Sequence, residues 1–326
     1  MMRVLVTGAA GFLGTRLTLQ LLAAGQLTVG EGAPQRITEL LLADRQAVTL
    51  PPHGGVPVRV VQGDLSDHVF ARDLAAQGCD SIFHLAASLT FEAEQDHARA
   101  YAINVEAVRH LIEGAARPPR FVFASSIAVF GGALPDIVDD TVRAEPDTTY
   151  GTHKAVVELM LANYSRKGAA DGRALRLPIV LIRRGVASPV VSDRVAAIVR
   201  ESLAGNEVVC GLAPDTRIPV ASVGAVARAL IQLHDAPAAS LPHARAMNFP
   251  ALTVSVADMV DSVPTHVGAA AAGPIRYQAD PALQRIVDSW PKVFISKHAT
   301  SMGLSADADF DAIVRQYLAD TPAAAH

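Results

Sequence analysis

The sequence contains little cysteine, few aromatic residues and no long apolar run. Its 326 residues include two cysteines, Cys79 and Cys210, and 5% aromatic residues. The cysteines lie far apart without metal-ligand spacing, so we expect two ordinary buried thiols, a reducing compartment and no metal site. No apolar run approaches the roughly 20 residues that cross a bilayer, and glycines interrupt the N-terminal segment that superficially resembles a signal peptide. We therefore expect a cytoplasmic protein with no membrane partner.

Neither sign of charge dominates the chain. It carries 28 basic and 32 acidic residues, for a formal net charge of -4 at pH 7. Lysine and arginine do not cluster, so nucleic acid is not an expected partner. Hydrophobic residues make up 50% of the sequence, which is enough for a substantial core in one large domain or two smaller ones.

A glycine-rich segment near the N-terminus predicts a phosphate-binding turn. The apolar run at 4–6 predicts a buried parallel strand, and Gly8, Gly11 and Gly14 follow at every third position before an apolar segment that ends at Gly25. Such a turn offers backbone amides and the positive end of a helix dipole to a pyrophosphate. The spacing differs from the usual Gly-x-Gly-x-x-Gly, so a tight turn without a ligand is the alternative.

Acidic residues end the next two predicted strands. The segment ITELLLAD ends at Asp44, where a carboxylate accepts hydrogen bonds from ribose hydroxyls and repels a ribose phosphate. This residue favours NAD, although the neighbouring Arg45 leaves NADP possible. A further strand ends at Asp64 and Leu65, near the position of an adenine. Alternatively, Asp64 or Ser66 caps the following helix.

Strands and helices continue to alternate through the first half of the chain. The run IFHLAAS predicts a strand ending in small residues, which let a flat cofactor approach the backbone, and His84 within it is expected to be a core residue. Residues 91–116 then predict one long helix with Asn104 near its middle. The alternation predicts an α/β fold with a Rossmann-type, doubly wound parallel sheet.

Two polar groups with the spacing of a catalytic pair follow the fifth strand. That strand ends at Ser125 and Ser126, and the segment YGTHK places Tyr150 and Lys154 four residues apart on one helical face. A nearby ammonium and a cationic nicotinamide favour the phenolate form of a tyrosine, so we expect the pKa of Tyr150 to be lowered. Such a tyrosine removes a proton from an alcohol, with the serine hydrogen-bonded to the substrate oxygen.

These motifs, in this order, resemble the extended short-chain dehydrogenase/reductase superfamily, which contains the NAD-dependent epimerase/dehydratase family. They are TGAAGFLG at 7–14, Asp44, Asp64 with Leu65, HLAA at 84–87, Asn104, SSIAVFG at 125–131, YGTHK at 150–154 and LRLP at 175–178. The resemblance covers roughly the first 180 residues and implies that Tyr150 is the catalytic acid/base. It further implies that Lys154 holds the nicotinamide ribose, and that Ser126 polarises the substrate oxygen.

The same resemblance implies the residues that contact NAD and substrate. The cofactor set is Gly8, Gly11, Phe12, Leu13, Gly14, Asp44, Asp64, Leu65, Leu85, Ala86, Ala87, Asn104, Tyr150, Lys154 and Pro178. The expected substrate set is Ser88, Ser126, Tyr150, Arg183, Arg184 and Arg217. The three arginines belong to it because a guanidinium binds a carboxylate in bidentate fashion, although a solvated or salt-bridged role is equally open for them.

The region after LRLP departs from the nucleotide-sugar members of the superfamily. Ile179 stands where those members usually have an asparagine that helps to hold a diphosphate. The second half resembles the D-erythronate dehydrogenase branch, which implies oxidation of a four-carbon sugar acid at the 2-hydroxyl to the 2-oxo acid, 2-oxo-tetronate. A nucleotide-sugar epimerase or dehydratase with tightly bound NAD remains an alternative, and a non-catalytic NAD(P) sensor is a second one.

Domain boundaries and assembly complete the expectations. We expect an NAD-binding Rossmann domain over 1–182 and a substrate lobe over 183–326, with about 215–236 returning to pack on the first domain. The helices around Asn104 and Lys154 have apolar faces large enough for dimerisation, and relatives commonly pair through these helices. We therefore expect a homodimer.

Overall fold

The computed structural model describes residues 2–29, 32–183 and 190–320. The strands are β1 Met2–Thr7, β2 Gln26–Leu27, β3 Gln35–Asp44, β4 Val58–Gln62, β5 Ser81–His84, β6 Arg120–Ser126, β7 Ile137–Val138, β8 Asp171–Leu177, β9 Ile179–Leu181, β10 Val208–Cys210, β11 Arg217–Ser222, β12 Ala246–Asn248, β13 Leu252–Ser255, β14 Ile275–Tyr277 and β15 Val293–Phe294. The helices are α1 Phe12–Ala24, α2 His68–Ala75, α3 Thr90–Gln95, α4 His97–Tyr101, α5 Ala107–Glu113, α6 Thr149–Arg166, α7 Val191–Leu203, α8 Val223–Asp235, α9 Val256–Val267, α10 Pro281–Asp288, α11 Lys297–Ser301 and α12 Phe310–Asp320. Ala102–Glu106 form a π-helical segment, and Ile127–Val129 and Ala238–Ser240 form short 3-10 helices.

A parallel sheet organises the molecule. Its strand order is β4, β3, β1, β5, β6, β8 and β12, and each of these neighbours pairs in parallel. The short β2 adds an antiparallel pair at the start of β3. The winding direction reverses at β1, which pairs with β3 on one side and β5 on the other. Ligands of such sheets bind at the carboxyl ends of the strands beside this reversal.

Both faces of the sheet are covered by helices, which explains the apolar strands. On one face α1 and α8 pack over buried residues that include Val4, Leu42 and Phe83. On the other face α2, α5 and α6 pack over residues that include Leu5 and Phe121. Strands buried on both faces read as continuous apolar runs rather than alternating ones. The predicted doubly wound α/β class is therefore confirmed.

The second half has a core of its own and also returns to the sheet. A three-stranded sheet places β11 between β9 and β13, and α7, α9, α10 and α12 contribute to the apolar cluster around it. Helix α8, which lies within the predicted returning segment, packs against α1. A second return was not foreseen: Ala246 to Asn248 of β12 extend the parallel sheet beside β8. The boundary at 182 remains a prediction.

Three local predictions of the sequence analysis are wrong. Residues 91–116 do not form one helix, since the chain breaks between α3 and α4 at Asp96 and then passes through the π-helical segment. The strand before Asp64 ends earlier, at Gln62. The cap of α2 is Asp67, whose side chain accepts a hydrogen bond from the Val69 amide, and not Asp64 or Ser66.

The cysteines and the helix lengths bear on the expected buried thiols and on the expected absence of a membrane partner. Cys79 and Cys210 are buried free thiols, and burial raises the pKa of Cys79 to about 11. Over the ranges that the structure describes, no helix combines the length and the apolar character needed to cross a membrane.

Candidate active site

The glycine turn lies where β1 meets the amino end of α1. Gly8 adopts a φ of 70°, and a Cβ there would stand 2.7 Å from the Ala86 amide nitrogen. A Cβ on Gly14 would stand 2.1 Å from the Gly8 carbonyl oxygen, so only glycine allows α1 to begin this close to the strand. Gly11 precedes α1 and no side chain caps the helix. Its first amides therefore remain open to an anion, and the turn fits a pyrophosphate.

Asp44 lies beside this turn at the carboxyl end of β3. Its Oδ2 accepts a hydrogen bond of 3.0 Å from the Ala10 amide, and Oδ1 accepts one of 2.9 Å from Gln46. Arg45 forms only a long, exposed ion pair with Glu92, at 3.9 Å. The carboxylate is therefore fixed at the position expected of a ribose acceptor, which fits NAD.

Asp64 and Leu65 follow β4 at the same edge. Partial burial works against ionisation of Asp64, but hydrogen bonds from Ser66 and the charge of Arg99 hold its pKa below the usual range. The amide and hydroxyl of Ser66 each donate to its Oδ1 at 2.8 Å. Leu65 is buried. A negative carboxylate next to an apolar side chain suits the edge and face of an adenine.

The end of β5 approaches the glycine turn. Leu85 donates its amide to the Thr7 carbonyl, and Ala86 lies against Gly8. Ala87 follows directly, in the stretch that the sequence analysis assigned to a flat cofactor. His84 is fully buried, with its Nδ1 2.9 Å from Thr7 Oγ1, and its Nε2 has no hydrogen-bond partner among the described residues. Burial and the nearby Lys154 lower the pKa of His84 to about 3.

Asn104 occupies the π-helical segment and holds the backbone of Ser88. Its Oδ1 accepts from the Ser88 amide at 2.8 Å, and its Nδ2 donates to the Ser88 carbonyl at 2.9 Å. Asn104 also lies 3.3 Å from His153 Nδ1. Its amide is therefore engaged within the protein. The geometry supports a role for Asn104 in placing Ser88, and the cofactor contact that the sequence analysis assigned to Asn104 stays a prediction.

Ser126, Tyr150 and Lys154 come together between β6 and α6. A Cβ on Gly151 would stand 1.9 Å from the Ala128 carbonyl, so this glycine lets the first turn of α6 press against the chain after β6. The Ser126 hydroxyl lies close enough to the Tyr150 hydroxyl to act against the rise of its pKa. The Lys154 ammonium lies 5.4 Å from the centre of the Tyr150 ring. The structure therefore assembles the three predicted catalytic side chains.

Burial moves the pKa values of this tyrosine and lysine in opposite directions. Burial raises the pKa of Tyr150 to about 12, although the Ser126 hydrogen bond lowers it. Burial lowers the pKa of Lys154 to about 7, against the opposing charge of Glu158. The lowering of the Tyr150 pKa that the sequence analysis expected is not produced by the side chains of this chain. That expectation rested in part on the cationic nicotinamide.

The remaining predicted residues are placed unevenly. Pro178 is buried at the junction of β8 and β9, next to Leu177, which pairs with Ser126. Arg217 begins β11, whereas Arg183 follows the end of the parallel strand β9. Their backbone positions therefore lie toward opposite ends of this pair of parallel strands. Arg184 lies outside the described residues.

Sequence reasoning missed a buried ion pair below the site. Glu158 accepts hydrogen bonds from Arg176 and from Ser125. Its spacing of four residues from Lys154 was the available signal, since residues four apart share a helical face. In the part of the chain that the structure describes, no group of His, Cys, Asp or Glu side chains has a metal-binding arrangement.

Comparison with known proteins finds similar chains that match over nearly the full length. A relative from Cupriavidus necator, named D-erythronate dehydrogenase, is 36% identical over 324 residues and covers 98% of each chain. A relative of the same name from Haemophilus influenzae is 33% identical, covering 97% of this chain and 99% of its own. A crystal structure described as a nucleoside-diphosphate-sugar epimerase from Agrobacterium tumefaciens superposes with a TM-score of 0.91 at 32% identity, covering 98% of this chain and 94% of that one.

The family follows from the turn, the acidic strand end and these similarities together. The predicted enzyme class, an NAD-dependent dehydrogenase of the extended short-chain dehydrogenase/reductase type, and the predicted cofactor, NAD, are confirmed. The family model matches residues 4–248, which span the central sheet from β1 to β12 and include Tyr150 and Lys154. The chain belongs to the NAD dependent epimerase/dehydratase family.

Proposed function

We propose that this chain oxidises a short sugar acid with NAD, and that the substrate is D-erythronate, converted to 2-oxo-tetronate. The observation that carries the proposal is the assembly of Ser126, Tyr150 and Lys154 at the carboxyl end of β6, in the same parallel sheet whose β1 leads into the glycine turn. The two relatives named D-erythronate dehydrogenase, each matched over nearly its full length, support the choice of substrate.

In the proposed reaction Tyr150 acts as the base. Ser126 donates a hydrogen bond to the 2-hydroxyl oxygen of the substrate and keeps it near Tyr150. Tyr150 takes the hydroxyl proton, and the hydrogen on carbon 2 leaves with its electron pair, so that a carbonyl forms. The ammonium of Lys154 favours the phenolate of Tyr150 and offers a donor to a ribose hydroxyl. When bound, NAD supplies the hydride acceptor.

The residues expected to hold NAD fit that role without rearrangement. The open amides of the first turn of α1 suit the pyrophosphate, and Asp44 suits a ribose. Leu65 lies at the adenine end of the same edge, and Ala86 lies at the centre of the sheet. The substrate carboxylate needs a cationic or hydrogen-bonding anchor, and Arg183 and Arg217 remain separate candidates for it.

Nucleotide-sugar chemistry is the second candidate, because one similar structure carries an epimerase description. Ile179 argues against it. This residue is buried in β9 and pairs with Val220 of β11, so an apolar group stands where nucleotide-sugar members usually offer an asparagine to the diphosphate. A polar contact with the diphosphate is missing at this position, which weakens recognition of a sugar nucleotide.

The test is reduction of free NAD, followed by its absorbance, with D-erythronate, L-threonate and related short sugar acids. We expect turnover with D-erythronate, and a fall of about 10²- to 10⁴-fold in kcat in Tyr150→Phe. Tyr164→Phe is the matched control, because Tyr164 lies on the same helix and its hydroxyl donates to Glu113 on the surface. NAD released only on denaturation, without sugar-acid turnover, would favour the epimerase. Cofactor binding with no turnover would favour a sensor.

A further inference from the structure

The ammonium of Lys154 lies in an enclosed and largely apolar place. The side chain is 2% exposed, and Nζ donates a hydrogen bond of 2.7 Å to the Ala124 carbonyl. Nζ also stands 4.3 Å from the centre of the Phe123 ring. An ammonium has three donors and is costly to bury without a counterion. Its charged form therefore depends on a nearby negative group.

Glu158 is that group, and the protein holds it rigidly. It lies one helical turn after Lys154 on α6 and is 5% exposed. Arg176 of β8 donates to both carboxylate oxygens, with Nε at 3.0 Å from Oε1 and Nη2 at 2.8 Å from Oε2. Ser125 donates to Oε1 at 2.5 Å. Three donors on two elements fix this carboxylate, so it cannot swing toward solvent.

The charged and titratable groups around Lys154 come from three elements. Helix α6 contributes Tyr150 and Glu158, β5 contributes His84, and β8 contributes Arg176 through its ion pair. His84 is neutral at physiological pH, because burial lowers its pKa to about 3. Tyr150 is neutral unless it acts as a base. Glu158 is therefore the anion that opposes the burial of the Lys154 charge.

We propose that Glu158 is a positioning residue of this site, whose carboxylate, held by Arg176 and Ser125, keeps the Lys154 ammonium charged beneath Tyr150. Only the catalytic consequence of this inference rests on the proposed function. Glu158 acts through Lys154 and has no assigned contact with substrate or NAD.

The ion pair also joins the catalytic helix to the second half of the chain. Arg176 Nη1 lies 3.4 Å from Asn248 Oδ1 on β12, and the guanidinium stacks 5.0 Å from the centre of the Phe130 ring. The Asn248 amide nitrogen in turn donates to Asp140, which accepts from Ser296. The Glu158 carboxylate, one helical turn from Lys154, is therefore anchored to segments on both sides of the predicted domain boundary.

A lysine titration tests the proposal without relying on activity. The sequence has four lysines: Lys154, Lys167, Lys292 and Lys297. Replacing the last three by arginine leaves a single ¹³Cε-lysine NMR signal in the full chain, and its shift follows the charge of Lys154 with pH. In Glu158→Gln we expect the midpoint of this titration to fall by about one pH unit or more, the size of shift that one close charge produces.

Two control variants separate the effect of losing the Glu158 charge from the effect of disturbing the local structure. Arg176→Lys keeps both charges but breaks the bidentate contact, and we expect a lower Tm with an unchanged midpoint. Glu207→Gln removes one negative charge from an exposed ion pair with Arg276 and should leave both quantities unchanged. An unchanged midpoint in Glu158→Gln would overturn the proposal, and so would an equal fall in Arg176→Lys.

A second variant covers the case in which Glu158→Gln does not fold, since that change leaves a guanidinium buried without its partner. Replacing the pair together, as Glu158→Leu with Arg176→Met, substitutes apolar groups that proteins often tolerate in place of a buried ion pair. The Lys154 midpoint should fall in this double variant as well. A midpoint equal to that of the parent would contradict the proposal.

The catalytic consequence is measured separately. In sugar-acid oxidation, Glu158→Gln should move the alkaline limb of the kcat/KM profile to lower pH, because Lys154 loses its charge earlier. Absence of sugar-acid turnover in the parent enzyme would refute the proposed function and leave the lysine titration to decide the role of Glu158. A shifted titration with an unshifted alkaline limb would refute the catalytic part alone.

Discussion

At the scale of single residues, burial is the force that sets the character of this site. It drives both members of the tyrosine and lysine pair toward their neutral forms, since it raises the pKa of Tyr150 to about 12 and lowers that of Lys154 to about 7. A proton-abstracting tyrosine needs the opposite bias, so charges from outside the pair must supply it. We propose that Glu158, one helical turn after Lys154, supplies such a charge.

His84 gives a residue-scale prediction about pH. Its ordinary pKa is 6.5, but burial lowers it to about 3 in the folded chain, so the unfolded chain binds a proton that the folded chain excludes between these values. Stability from this group is complete above pH 6.5 and declines as pH falls toward 3. Between these two values, His84 changes the unfolding free energy by at most about 1.4 kcal/mol for each pH unit.

Urea unfolding between pH 4.5 and 7.5 measures this share. His84→Asn keeps a polar partner for Thr7 but does not titrate, so its stability should depend less steeply on pH than that of the parent. His53→Asn, on an exposed loop, should follow the parent. Parallel curves for His84→Asn and the parent would show that His84 does not resist protonation.

The residues of the site differ in how readily sequence reveals them. Gly8, Gly14, Tyr150 and Lys154 are local signals, because turn geometry and helical spacing act over a few residues. The partnership of Glu158 with Arg176 joins residues 18 positions apart on different elements, and no local pattern encodes it. The engagement of Asn104 with Ser88 is of the same kind. Tertiary packing decides both, and the sequence alone could not.

At the scale of elements, the strand, glycine turn and helix at the N-terminus form one unit that tolerates no added atom. Gly14→Ala places a methyl group 2.1 Å from the Gly8 carbonyl. We expect the unfolding free energy to fall by about 1–3 kcal/mol and NAD affinity to fall by more than about tenfold, because the amides of the first turn of α1 are displaced.

Calorimetric titration with NAD and urea unfolding measure the two effects. Gly54→Ala is the control, since a Cβ there meets nothing within 4 Å and the loop lies away from the turn. Wild-type NAD affinity in a folded Gly14→Ala protein would contradict the assignment of this turn to the pyrophosphate.

The wrong prediction of one long helix over 91–116 has a cause at the scale of elements. The segment contains no proline or glycine until Gly114, so propensity predicted continuity. Asp96 instead leaves the helical conformation and its side chain accepts a hydrogen bond from the Arg99 amide, which starts α4. Aspartate competes with the backbone in this way and favours caps over helix interiors.

At the scale of the whole molecule, two exposed apolar side chains mark the face that we predict for a homodimer. Leu159 on α6 is 74% exposed and Tyr101 of α4 is 45% exposed. A glutamate at position 159 would place a charge in an apolar contact between two copies, which is costly. We expect the parent to be a dimer by light scattering and Leu159→Glu to be a monomer.

Ile286→Glu is the matched control for the dimer, because Ile286 is 46% exposed on α10 of the second half. It should remain dimeric. A parent protein that is monomeric at all concentrations would contradict the predicted homodimer. Loss of the dimer in Ile286→Glu alone would place the dimer interface on the second half instead.

The measurement that tests the central claim most directly uses D-erythronate deuterated at carbon 2, with mass spectrometry of the reduced cofactor. The account predicts deuterated NADH from this substrate, unlabelled NADH from D-erythronate deuterated at carbon 3, and no appreciable product of either kind in Tyr150→Phe. Label arriving from carbon 3 would contradict the proposed position of oxidation. Undiminished transfer in Tyr150→Phe would contradict the proposed base.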